Sequence, residues 1–114
     1  MTITLYHNPR CSKSRQAKEL LDKKGLDFTV REYLKEPLNA KELQTLVSLL
    51  NIPAHDLLRN KEPEYQEAGL SKDSSDEDII NAMVNTPKLM ERPVLVTEKG
   101  ARIGRPTELL EEIL

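Results

Sequence analysis

The feature that most constrains the fold is a change of hydrophobic period near the N-terminus. Ile3, Thr4, Leu5 and Tyr6 alternate as a strand does, whereas Ala17, Leu20 and Leu21 recur at helical spacing. A strand, a tight turn and a helix start therefore meet within Tyr6-His7-Asn8-Pro9-Arg10-Cys11-Ser12-Lys13-Ser14-Arg15, which contains the chain's only cysteine. The first amides of a helix have no internal partner and, with the helix dipole, stabilise an anion placed before them. With Arg10, Lys13 and Arg15 alongside, a thiol at this junction is driven below its free pKa of about 8.5. A lone cysteine is often just a small buried hydrophobe. Cys11 is instead read as a nucleophile, because its neighbours are Arg10, Ser12 and Lys13 rather than apolar side chains. His7 either tunes Cys11 or simply closes the strand. Ser14 either donates a hydrogen bond to the thiolate or caps the helix.

Downstream, a helix over 12–24 is ended by Gly25, and Phe28-Thr29-Val30-Arg31-Glu32-Tyr33 alternates as a second strand. Strand, helix and strand at this spacing predict a parallel unit. After a break at Lys35-Glu36-Pro37, Asn39 and Glu42 resemble a capping box, and Leu43, Leu46, Val47 and Leu50 share one helical face. That helix should stop at Asn51, since Pro53 biases Ile52 away from helical angles. A short helix follows over about 54–58. The polar stretch 64–78 reads as a mobile loop or a pair of short helical turns, and Ile79, Ile80, Met83 and Val84 mark another helix. Val94-Leu95-Val96-Thr97 is a buried strand, Glu98-Lys99-Gly100 a turn and Ala101-Arg102-Ile103 an antiparallel partner. A last helix carries Leu109, Leu110 and Ile113, with Pro106 near its first position. The order predicts one α/β domain over 1–114. It is a thioredoxin-like four-stranded mixed sheet (2–6, 28–32, 94–97, 101–103) with a helical insertion over 39–90.

Composition narrows the function. At 38% hydrophobic and 32% charged residues the chain reads as a globular protein, and its net charge of -2 argues against a general nucleic-acid binder. No run approaches the roughly 18 apolar residues of a membrane span, and the N-terminus does not read as a signal peptide, so cytoplasmic residence is expected. One cysteine makes neither an internal disulfide nor a Cys-x-x-Cys pair, so any redox cycle must take its second thiol from another molecule. One cysteine and a distant His55 make no metal site. Arg59, Arg92 and Arg105 each stand at an element boundary, where side chains can converge on a pocket or pair with nearby acids. Guanidinium forks suit tetrahedral oxyanions. Pro93, directly before a strand, is a candidate for a cis peptide.

Four stretches together resemble the glutaredoxin-coupled arsenate reductase family: Tyr6 to Arg15, Leu57-Leu58-Arg59-Asn60-Lys61-Glu62-Pro63, Glu91-Arg92-Pro93-Val94 and Gly104-Arg105-Pro106-Thr107-Glu108. They occur in order over nearly the whole chain. The resemblance implies a bacterial, cytoplasmic oxidoreductase with no bound cofactor, in which Cys11 attacks arsenate and forms a covalent adduct. Glutathione, as co-substrate, would form a mixed disulfide with Cys11 as arsenite leaves, and glutaredoxin would restore the thiol. It also implies that Arg59, Arg92 and Arg105 bind the oxyanion, that His7 and Ser14 tune the thiolate, and that Arg92-Pro93 is the cis peptide. Ser12 and Arg10 stand where family reductases carry glycine and a small residue. Two alternatives are an Spx-type regulator that binds RNA polymerase, whose dithiol switch is missing because position 14 is Ser14, and a glutathione-linked thiol protein without oxyanion turnover.

Overall fold

Thr4–Tyr6 (β1), Thr29–Arg31 (β2), Val94–Thr97 (β3) and Gly100–Ile103 (β4) form one mixed sheet in the order β2-β1-β3-β4. This is a computed structural model, and it describes residues 2–114. β1 pairs in parallel with β2 (Leu5 opposite Val30) and antiparallel with β3 (Leu5 opposite Leu95), and β3 and β4 close a hairpin at Thr97 and Gly100. The α/β class and the four-stranded mixed sheet expected from the sequence are what the chain forms. β2 is shorter than its sequence pattern suggests: it is an edge strand, Val30 is exposed, and the chain turns away at Tyr33.

Ser12–Lys23 (α1) crosses from β1 to β2 and buries Ser14, Ala17 and Leu21. Its end is set by Gly25, whose φ of +67° is left-handed and whose amide donates to Asp22 O. Ala17 and Leu21 pack with Ile3 and Leu5 of β1, Leu95 of β3, and Leu110 and Ile113 near the C-terminus. Truncating one such buried leucine to alanine costs about 2–5 kcal/mol.

The C-terminal segment Thr107–Ile113 is a 3₁₀ helix rather than the expected α-helix, with Pro106 as its extended N-cap instead of its first helical residue. The segment is short, and its terminal carbonyls find partners elsewhere. Thr97 Oγ1 donates to Ile113 O at 2.7 Å, and Lys99 Nζ donates to Leu114 O at 3.0 Å.

These elements make up one compact unit, Met1–Glu36 with Arg92–Leu114, and Pro37–Glu91 forms a second. The second is helical, as expected for the insertion: Ala40–Leu50 (α2), Pro63–Glu67 (α3) and Asp76–Asn85 (α4), with 3₁₀ turns at Ala54–Leu57 and Pro87–Leu89. The Asn39–Glu42 capping box is present, and Asn51 ends α2 in the left-handed conformation. Leu43 and Leu46 of α2 and Ile79 and Met83 of α4 are buried there. Between Glu64 and Asp78, read from sequence as loop or helical turns, lie most of α3 and the first turn of α4. The latter is capped by Ser75 and carries three acids at the positive end of the helix.

Candidate active site

Cys11 is the N-cap of α1, in extended conformation, and is 9% exposed. The turn that delivers it is held by short-range hydrogen bonds. The Cys11 amide donates to Asn8 O at 3.0 Å, and the Arg10 amide donates to Asn8 Oδ1 at 3.0 Å. The Asn8 amide donates to Ser14 Oγ at 3.0 Å, and the same hydroxyl lies 2.6 Å from His7 Nδ1. His7 is buried as well, with its amide donating to Arg31 O, so it both closes the strand pairing and touches the helix start. Burial, the largest effect, together with Lys18 and Arg15, outweighs the opposing pull of the Glu32 carboxylate and lowers the pKa of His7, favouring the neutral ring. Ser14 Oγ thus accepts from the Asn8 amide and lies within hydrogen-bond distance of the His7 imidazole.

Burial pushes the Cys11 thiol up. The Ser14 amide, the Arg92 guanidinium (by hydrogen bond and by charge) and the Lys13 amide together outweigh it and hold the thiol below its ordinary value. No acid lies in the first turn of α1 to oppose them. Arg105 brings a second guanidinium: its Nη2 stands 3.7 Å from Cys11 Sγ, and its Nε donates to Arg92 O at 2.8 Å. That backbone tether orients the fork. A thiolate flanked by two guanidinium groups can hold a tetrahedral oxyanion against the nucleophilic sulfur.

The structure brings Cys11, His7, Ser14, Arg92 and Arg105 together within one unit. Arg59 belongs to the other, where its guanidinium lies 3.1 Å from Glu62 and 3.8 Å from Glu91. The Arg92–Pro93 peptide is cis, and so is Arg105–Pro106. His55 packs edge-on against Tyr65, with Nε2 2.8 Å from the phenol oxygen. Among the described residues, no group of three or more His, Cys, Asp or Glu is placed to hold a metal ion, and no helix is long and apolar enough to cross a membrane.

Two positions escaped the sequence reading. Asn8 is buried and ties the turn together, and the Asn-Pro pair at a strand end was its signal. Gly104 precedes Arg105 so closely against Pro93 that a Cβ there would lie 2.9 Å from Pro93 Cγ.

Residues 6–113 match the ArsC family. The chain belongs to the ArsC family. The match spans every element of the site unit from the end of β1 onward, including both arginine-proline steps. Among relatives of this ArsC chain, an uncharacterized Escherichia coli protein, YfgD, is 46% identical over 98% of the chain and 96% of its own length. An arsenate reductase of Rhizobium meliloti is 37% identical over 100% of the chain and 82% of its own length. The solved structure of an arsenate reductase from Vibrio cholerae superposes with a TM-score of 0.96 at 40% identity, covering 100% of this chain and 98% of that one. The four-stranded mixed sheet is thus the ArsC, thioredoxin-like arrangement.

Proposed function

We propose that this ArsC-family chain reduces arsenate, or a similar tetrahedral oxyanion, with Cys11 as nucleophile and glutathione as the second thiol. The observation that carries the reading is the pair of guanidinium groups, Arg92 and Arg105, on the Cys11 sulfur. One neighbouring cation is enough to lower a thiol's pKa. A second, planar and tethered through its own Nε, adds donors that a tetrahedral oxyanion would use.

In the proposed cycle the Cys11 thiolate attacks arsenic, an As–S bond forms, and one oxygen leaves as water after protonation. Arsenic is still As(V). Glutathione then supplies the second thiol. An S–S bond forms between it and Cys11, the electron pair of the As–S bond stays on arsenic, and As(III) leaves as arsenite. Two thiols have lost two electrons and arsenic has gained two. A glutaredoxin thiol takes the glutathione sulfur and returns Cys11. Arg92 and Arg105 hold the oxyanion and meet the charge that develops as the adduct forms. His7, with its neutral ring favoured by burial, lies 2.6 Å from Ser14 Oγ and helps to hold the start of α1, whose Ser14 amide meets the thiolate. The need for glutathione places the reaction in a reducing, cytoplasmic setting.

A second reading, a glutathione-linked thiol protein without oxyanion turnover, is favoured by one observation: Arg59, the third arginine of the family stretches, is paired with Glu62 and Glu91 in its own unit. One experiment separates them. Arsenite is measured with arsenate, glutathione and glutaredoxin, in the intact chain and in Cys11→Ser. Arsenite from the intact chain alone supports the reductase. A glutathione mixed disulfide on Cys11 with no arsenite supports the thiol protein.

A further inference from the structure

Asn8 is as buried as Cys11, at 9% exposure each, and all three of its short-range polar contacts act on the turn that presents the nucleophile. Its amide donates to Ser14 Oγ, its carbonyl accepts from the Cys11 amide, and its side-chain Oδ1 accepts from the Arg10 amide, each at 3.0 Å. The first ties the turn to the first turn of α1. The second closes the four-residue turn 8–11. The third is an Asx turn, in which the side chain stands in for a backbone carbonyl.

The consequence lies in what these bonds remove. The amides of Asn8, Arg10 and Cys11 are all committed to oxygen acceptors of Asn8 and Ser14 rather than to the sulfur. The amides beyond Cys11, those of Lys13 and Ser14, are the ones that reach it. The extended N-cap geometry of Cys11, φ -94° and ψ 123°, is what separates the two sets. Pro9 fixes its own φ but supplies no amide, so it cannot hold Arg10 in register. That leaves the Asn8 side chain as the anchor of the Arg10 amide.

We propose that Asn8 is a positioning residue of this site: its side-chain oxygen holds the turn in the form that keeps Cys11 Sγ against the Lys13 and Ser14 amides. Without that oxygen the Arg10 amide turns to water, the Asx turn opens, and Sγ drifts off the helix amides. The inference rests on Cys11 being the nucleophile but not on arsenate.

The test is alkylation of Cys11 by iodoacetamide, a neutral probe, from pH 5 to 10 in the full chain, comparing Asn8→Ala and Asn8→Ser with the parent. Serine retains a side-chain oxygen able to accept from the amide two residues on. Asn8→Ala should move the midpoint upward and slow alkylation at pH 6 by about three- to tenfold, the loss of one hydrogen bond's worth of orientation. Its rate at pH 10, where the thiol is ionised in all variants, should equal the parent's. Asn8→Ser should recover much of the loss. A parental midpoint in Asn8→Ala, an equal slowing at both pH values, or no recovery in Asn8→Ser would overturn the assignment. If Asn8→Ala does not fold by circular dichroism, Asn8→Gly, which also lacks the oxygen, takes its place: a midpoint raised above the parent's supports the role, and a parental one overturns it. Because alkylation reads the thiol alone, failure to form arsenite leaves this result standing.

Discussion

Replacing Arg105 by lysine keeps the charge and removes the fork. In the intact chain one guanidinium makes two contacts at once: Nε to Arg92 O at 2.8 Å and Nη2 to Cys11 Sγ at 3.7 Å. A lysine ammonium is a single point on a flexible stem, and it cannot hold a backbone carbonyl and face the sulfur together. The turn amides of Asn8, Arg10 and Cys11 are committed within the turn, so they do not substitute for the lost donors. One charge-assisted hydrogen bond is worth about 1.5–3 kcal/mol, and exposure of Arg105 to water favours the lower end. About tenfold weaker anion binding follows. The assay is protection: arsenate or phosphate is titrated against alkylation of Cys11, and the half-protecting concentration is read for Arg105→Lys and Arg102→Lys. Arg102 is the control because its Nε faces Glu112 at 2.9 Å and its Nη1 donates to its neighbour's carbonyl, Ala101 O. Arg105→Lys should raise that concentration about tenfold while Arg102→Lys leaves it unchanged. Equal effects, or an intact chain in which neither anion protects, would refute the idea that two guanidiniums make an oxyanion site.

Two further outcomes are expected. Gly104→Ala puts a Cβ 2.9 Å from Pro93 Cγ and 3.1 Å from Leu110 Cδ1, so the step before Arg105 must shift against the buried core. Overpacking of this kind costs about 1–3 kcal/mol, which thermal unfolding should register along with weaker anion protection. His7 sets a pH dependence, because burial lowers its folded pKa below the ordinary 6.5. Stability tied to its neutral form is complete above that ordinary value and is lost as pH falls through the folded one, since only the unfolded ring takes the proton readily. The urea midpoint should therefore drop between pH 7.5 and 5.5 by more in the parent than in His7→Gln, and an equal drop would contradict the assignment.

The local features were legible because local forces make them. The change of period between Leu5 and Ala17 announced β1, the turn and α1, and the Asn39–Glu42 box and Asn51 marked both ends of α2. The hairpin at Glu98-Lys99-Gly100 was equally plain. What escaped depends on partners distant in sequence or on a signal that pointed two ways. The Ser/Asp cluster before Ile79 reads equally as loop or as helical turns, and Ser75 with the acids behind it makes it a helix start. The 3₁₀ form of the last segment is tied to Thr97, 16 residues away, and the aim of Arg105 to a carbonyl 13 residues away. Neither shows in periodicity. Cys11 stood out as a lone thiol among cations, whereas Asn8 reads as an ordinary turn residue until its three hydrogen bonds are traced.

The central claim is that Cys11 carries electrons to an oxyanion, and turnover tests it most directly. Arsenite release is followed with arsenate, glutathione and glutaredoxin all present, with each omitted in turn, and with Cys11→Ser in place of the intact chain. Arsenite formed only by the complete mixture with Cys11, and abolished in Cys11→Ser, is the predicted result. Arsenite formed equally by Cys11→Ser, or none formed while Cys11 is readily glutathionylated, would contradict it.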